Sequence, residues 1–99
     1  MDPLDVTHAL RAPDGVASLI RGLHPAIKSK VRAALQEIVT NPTCGKSLNE
    51  ELAGLRSFRL GRLRIVYRLA DDRVVEIVTL GPRRTVYKDT YRLVRRSGD

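Results

Sequence analysis

The sequence predicts an α+β fold: a helical hairpin, then a small, mostly antiparallel β-sheet of three to four strands, then a C-terminal helix. Three observations point there. Apolar residues recur at helical spacing as far as Thr40. From Leu55 onward the period drops to two, the alternation of strands. The stretch "RVVEIVTLG", 73–81, is apolar at nearly every position, as in a strand buried on both faces. Ninety-nine residues, 42% of them hydrophobic, suffice for one core, so residues 1–99 are expected to form a single domain.

"VTHALRA", 6–12, reads as a short first strand, and Ala12-Pro13-Asp14-Gly15 as a turn. Val16, Leu19, Ile20 and Leu23 form one helical stripe. His24-Pro25 interrupts it, because a residue before proline avoids helical geometry while proline suits a first helical turn. A second helix runs from Pro25 to Thr40 on the apolar face Ile27, Val31, Ala34, Leu35 and Ile38, and Asn41-Pro42 stops it. So short a connection predicts an antiparallel pair with facing apolar stripes.

In "LRSFRLGRLRIVYRL", Gly61-Arg62 is suited to a two-residue turn with glycine at the first central position. Beyond it Leu63, Ile65, Tyr67 and Leu69 share one face, and Arg62, Arg64, Val66 and Arg68 the other. Asp71-Asp72 marks a second turn, and Gly81-Pro82 ends the buried strand. Tyr87, Tyr91 and Val94 then lie on one face of a final helix. The helices are expected on one face of the sheet. Arg59, Arg62 and Arg64 cannot enter an apolar core unpaired, so the other face is left to solvent or a ligand.

Charge narrows the function. Residues 1–53 carry six Lys/Arg and six Asp/Glu, whereas residues 54–96 carry eleven Arg and one Lys against four acids. The net charge of +7 therefore resides in the second half and is almost wholly arginine. Arginine makes bidentate contacts with phosphate and stacks on bases, so this balance favours a nucleic-acid binder over the alternatives, a solvated face or a surface for an acidic protein partner. No apolar run reaches the length of a membrane span, and the N-terminus lacks a basic region followed by a long apolar stretch. A cytoplasmic location is expected, without membrane partners. The single Cys44 has no internal disulfide partner. His24 reads as an interhelical turn residue and His8 as an edge-strand residue. Neither has a second ligand at metal spacing, so neither metal nor cofactor is expected.

"GLRSFRLGRLRIVYR" followed by "VVEIVTLGPRRTVYKD" resembles the RelE/ParE superfamily of bacterial toxins from type II toxin–antitoxin pairs. The family pattern is Arg-x-Gly-x-x-Arg-x-x-Tyr, a buried strand, then Gly-x-Arg-x-x-x-Tyr. The matching residues are Arg59, Gly61, Arg64 and Tyr67, then Gly81, Arg83 and Tyr87, and the likeness covers about residues 16–96. In the RelE branch it implies a ribosome-dependent, metal-independent endoribonuclease that cuts mRNA in the A site. The 2′-hydroxyl attacks the adjacent phosphate, leaving a 2′,3′-cyclic phosphate and a 5′-hydroxyl. Arg59 and Arg64 would clamp phosphate oxygens, Tyr87 would stack on or orient the RNA or take the 2′-hydroxyl proton, and Arg83 would stabilise or protonate the leaving 5′-oxygen. Arg56, Ser57, Arg62, Arg84 and Lys88 would add contacts to RNA. The best-studied RelE pattern has two lysines on the first hairpin strand, where this chain has Ser57 and Arg59. The resemblance further implies a cognate antitoxin, an oligomeric toxin–antitoxin complex, and the ribosome and mRNA as partners. In the ParE branch it implies instead an inhibitor of DNA gyrase with no nuclease activity.

Overall fold

The structure, a computed structural model, describes residues 8–70 and 73–98. A helical pair and a C-terminal helix sandwich a five-stranded mixed sheet. In chain order the elements are β1 (Ala9–Arg11), α1 (Asp14–Arg21), α2 (Pro25–Thr40), β2 (Lys46–Ser47), β3 (Arg56–Leu60), β4 (Leu63–Leu69), β5 (Val74–Pro82) and α3 (Arg83–Gly98). The sheet order is β1-β5-β4-β3-β2, with β1 parallel to β5 and every other pairing antiparallel.

The helices begin where local chemistry favours it. Asp14 lies in the first turn of α1 and Arg21 in its last, each complementing the nearby end of the helix dipole. Pro25 opens α2, and the His24 ring nitrogen Nδ1 accepts the Ala26 N–H at 3.1 Å as a cap. His24 is thus a turn residue, as its sequence context suggests. The expected face of α2 is the buried one: Val31, Ala34, Leu35 and Ile38, with Val39, pack against Ile65, Tyr67, Val75, Ile77 and Leu80 of the sheet, and Ile27 sits partly buried beside them. Val16, Ile20 and Leu23 join the same core from α1 and its exit.

The β3–β4 hairpin closes through Gly61 at φ +59°, a conformation glycine adopts without steric penalty and the reason for the glycine at this turn. Between β4 and β5 the register shifts by one residue: Val66 opposes Thr79, yet Tyr67 opposes Ile77. Val78 is the extra residue, and the bulge resets the alternation. It allows Ile77 and Leu80, three apart, to face the same helical layer while Val78 packs on the opposite side.

Two details differ from expectation. The sheet gains a strand because β2 is only two residues long, too short to show alternation. The C-terminal helix lies across the sheet from the helical pair: Val86, with Tyr87 and Val94, packs on Val66, Leu55 and Val78. A strand apolar on both sides needs a layer on each side, and α3 is the second layer. Of the first strand read over 6–12, residues 9–11 are strand, while residues 6 and 7 lie outside the described residues. So do Asp71 and Asp72 of the second turn.

Candidate nucleic-acid interface

The α3 side of the hairpin end gathers residues from four elements. In β3, Ser57 and Arg59 alternate away from Phe58 and Leu60, which belong to the helical-pair core. Arg59 stands directly opposite Arg64, and Arg64 in turn opposes Gly81. One rung across β3, β4 and β5 therefore holds two arginines and a glycine that adds no side chain. The Arg64 Nη1 donates to the carbonyls of Gly61 and Leu63 at 3.3 and 3.1 Å, which draws its guanidinium back over the turn. Arg62 lies exposed in the turn, and its carbonyl accepts the Arg83 N–H at 3.3 Å. That contact brings the start of α3 to the hairpin end. Tyr87, one helical turn later, is half-buried, and its hydroxyl is 3.0 Å from the Ser57 Oγ.

Arg59, Arg64, Arg83 and Tyr87 thus converge, as the strand order suggests. Among the described residues the only ion pairs are Arg11–Glu76 at 3.1 Å and Arg68–Glu76 at 2.6 Å. Both lie toward the β1 end of β5, where Arg11, Glu76 and Arg68 are register neighbours on three strands. Burial pushes the Glu76 carboxyl up, but the hydrogen bonds and charges of Arg68 and Arg11 outweigh it and hold the group below its usual value. Among the described residues no ion pair therefore involves Arg59, Arg62, Arg64 or Arg83.

The remaining sequence-derived contacts divide. Arg84 and Lys88 are exposed on α3, and neither belongs to an ion pair among the described residues. Ser57 is 6% exposed, and its hydroxyl is engaged by Tyr87 rather than offered to solvent. Arg56 lies on the other face of the sheet. Its Nη1 donates to the Gly45 and Thr43 carbonyls at 2.7 and 3.3 Å, so it braces the loop after α2. Alternation carries the signal that separates it from Arg59, since Arg56 shares its face with Phe58. Only the resemblance marked Ser57, which stands where the RelE pattern has a lysine, because its contact is 30 residues away.

Other polar groups lie elsewhere. His8 precedes β1, and its backbone N–H and ring Nδ1 are 3.0 and 3.2 Å from the Val39 carbonyl, at the far edge of the sheet. Tyr67 is in the core as expected. Its hydroxyl donates to the Pro42 carbonyl at 2.6 Å and accepts the Gly45 N–H at 2.9 Å, and burial pushes the phenol up to about 12. Tyr91 carries Arg95 over its ring at 5.5 Å and accepts a 3.1 Å hydrogen bond from it, a surface pair rather than core packing.

The family model described as the ParE toxin of type II toxin–antitoxin systems, parDE, matches residues 17–87. Among solved structures, the RelBE2 toxin–antitoxin complex of Mycobacterium tuberculosis is similar at 31% identity and a TM-score of 0.69, over 79% of this chain and all of that one. A mutant of the Escherichia coli toxin RelE in its free state superposes with a TM-score of 0.74 at 17% identity, over 93% of this chain and 98% of that one. RelE of the archaeal RelE–RelB complex from Pyrococcus horikoshii gives 0.64 at 21% identity, over 79% and 97%. No curated protein sequence matches the chain.

Proposed function

This chain belongs to the RelE/ParE superfamily of toxins of type II toxin–antitoxin systems, and on that premise we propose that it is a ribosome-dependent endoribonuclease acting on mRNA. The observation that carries this reading is the convergence of Arg59, Arg64, Arg83 and Tyr87 at one end of the sheet, with no carboxylate paired to any of these arginines among the described residues. Attack of a 2′-hydroxyl on the neighbouring phosphate puts negative charge on the phosphoryl oxygens and on the departing 5′-oxygen. Arg59 and Arg64, opposite each other on adjacent strands, suit the first task, and Arg83 beside the turn suits the second. Tyr87 presents a ring on which a base can stack and a hydroxyl that can order the nucleophile.

The nucleophile belongs to the substrate, so the protein supplies position, charge and proton transfer. Guanidinium and phenol are by their chemistry poorly matched to proton transfer at neutral pH. Most of the acceleration must then come from holding the RNA bent for in-line attack, and the ribosome supplies that geometry. Arg62, Arg84 and Lys88 extend the cationic surface for the RNA backbone. A cognate antitoxin is the expected partner: RelE-type relatives are seen in complex with RelB.

A second reading has its own support, since the matching family model is that of ParE toxins. It makes the chain an inhibitor of DNA gyrase. Purified protein added to ribosomes programmed with a defined message separates the two. The ribonuclease reading expects cleavage phased to the A-site codon, and a loss of about a hundredfold in rate for Arg83→Ala, the scale of losing one charge-stabilising group. An intact message together with accumulation of gyrase-cleaved DNA would overturn it.

A further inference from the structure

We propose that Ser57 is a positioning residue for Tyr87: its buried hydroxyl anchors the phenol oxygen and fixes where that oxygen meets the RNA. The inference deepens the ribonuclease reading of the site and rests on it. Ser57 is 6% exposed on the inner side of β3, opposite the fully buried Val66, with Val86 in the same apolar layer. A hydroxyl in such surroundings is costly unless it finds a partner. Its partner is the Tyr87 hydroxyl at 3.0 Å, across 30 residues of sequence and from helix to sheet.

The pair constrains Tyr87 twice. The ring packs against the layer of Leu55, Val66 and Val86, which limits its tilt. The Ser57 bond then fixes the end of the ring, where a small rotation about the side-chain torsions moves the oxygen furthest. A phenol has one O–H and two lone pairs. One contact to Ser57 leaves the oxygen capacity for a second partner, and the half-buried side chain is within reach of solvent. Ser57 itself is too buried to meet RNA, so its influence passes through Tyr87. That is a different task from the one expected of a side chain in the Arg59 row.

The test is a double-mutant cycle of Ser57→Ala and Tyr87→Phe, read as single-turnover cleavage on programmed ribosomes at varied toxin concentration. Ser57→Ala is expected to lower the saturating rate about tenfold, the scale of one hydrogen bond, with the half-saturating concentration unchanged. Ser57→Thr, which keeps the hydroxyl, is expected to restore most of the rate. In the Tyr87→Phe background, Ser57→Ala is expected to change the rate less than about twofold, because the contact is already gone. Losses that multiply across the cycle, or a rise in half-saturating concentration alone, would show that Ser57 acts on its own and overturn the proposal. A second measurement does not depend on cleavage. In protein with 13C-labelled tyrosine, Ser57→Ala should shift the Tyr87 ring-carbon resonances and leave those of Tyr91 in place. Unmoved Tyr87 resonances would overturn the pairing itself. A wild-type protein that leaves message intact while its Tyr87 resonances respond would overturn the ribonuclease reading and keep the contact.

Discussion

The Tyr67 hydroxyl bonds to main-chain groups at Pro42 and Gly45, and a single glycine makes this possible. A Cβ built on Gly45 would fall 2.6 Å from the Tyr67 oxygen and 3.1 Å from the Ser57 carbonyl. Neither neighbour can retreat: the ring is fully buried and the carbonyl belongs to a strand. Gly45→Ala is therefore expected to destabilise the fold by about 2 kcal/mol or more, the usual cost of forcing atoms into a packed interior. Chemical denaturation of the variant beside the parent measures it. Periodicity placed Tyr67 in the core, since it alternates with Ile65 and Leu69. It could not show the hydroxyl's partners, which lie 22 and 25 residues away in a loop without a repeating pattern. Arg56 and Arg59 teach the complementary lesson. Composition treats them alike, yet three steps along one strand put them on opposite faces, one bracing a loop and the other beside Arg64.

Among the elements, β1 is an outer strand that a long connection separates from its neighbour β5. Three residues pair with β5, and Arg11 reaches Glu76, which Arg68 also holds from β4. The Glu76 carboxyl is held below its usual 4.5 in the fold. A depressed folded value means that the ionised form stabilises the native state above the unfolded pKa, and that this contribution is lost as pH falls through the folded one. The stability of the parent should therefore decline as pH drops below about 4.5, and Glu76→Gln should remove that part of the decline. Urea midpoints of both proteins between pH 7 and pH 3 test this, and parallel curves would exclude Glu76 as the source. The helical pair was legible because α2 has a stripe with a proline at its head and Asn41-Pro42 at its end. The opposite placement of α3 was not, because a hydrophobic stripe shows that a helix has something to cover and not which side of the sheet it covers. The bulge at Val78 escaped for a related reason: a near-continuous apolar run has no alternation to interrupt.

At the scale of the whole molecule, the net charge of +7 is unevenly placed. Arg59, Arg62, Arg64 and Arg83 gather at one end of the sheet, while the two described ion pairs, Arg68 of β4 among them, are confined to the other. The proposed ribonuclease reading expects an affinity for RNA that falls steeply with salt, because each neutralised phosphate releases a counterion. Arg59→Ala is expected to lower the slope of log affinity against log salt by about one, as measured with a single-stranded RNA. An unchanged slope would remove Arg59 from the RNA path. The chain's charge asymmetry made a cationic surface legible before any geometry, whereas which of its arginines meet is decided in three dimensions. The topology has one more consequence, in time rather than in space. Ser57, Arg59, Arg64, Arg83 and Tyr87 all belong to consecutive elements joined by short turns, so their framework forms through contacts between near neighbours in the chain. The pairing of Ala9 with Val74 spans the longest loop in the sheet and bears the largest closure entropy. The arginine-bearing end can take shape early, and the seam between β1 and β5 is expected to close last.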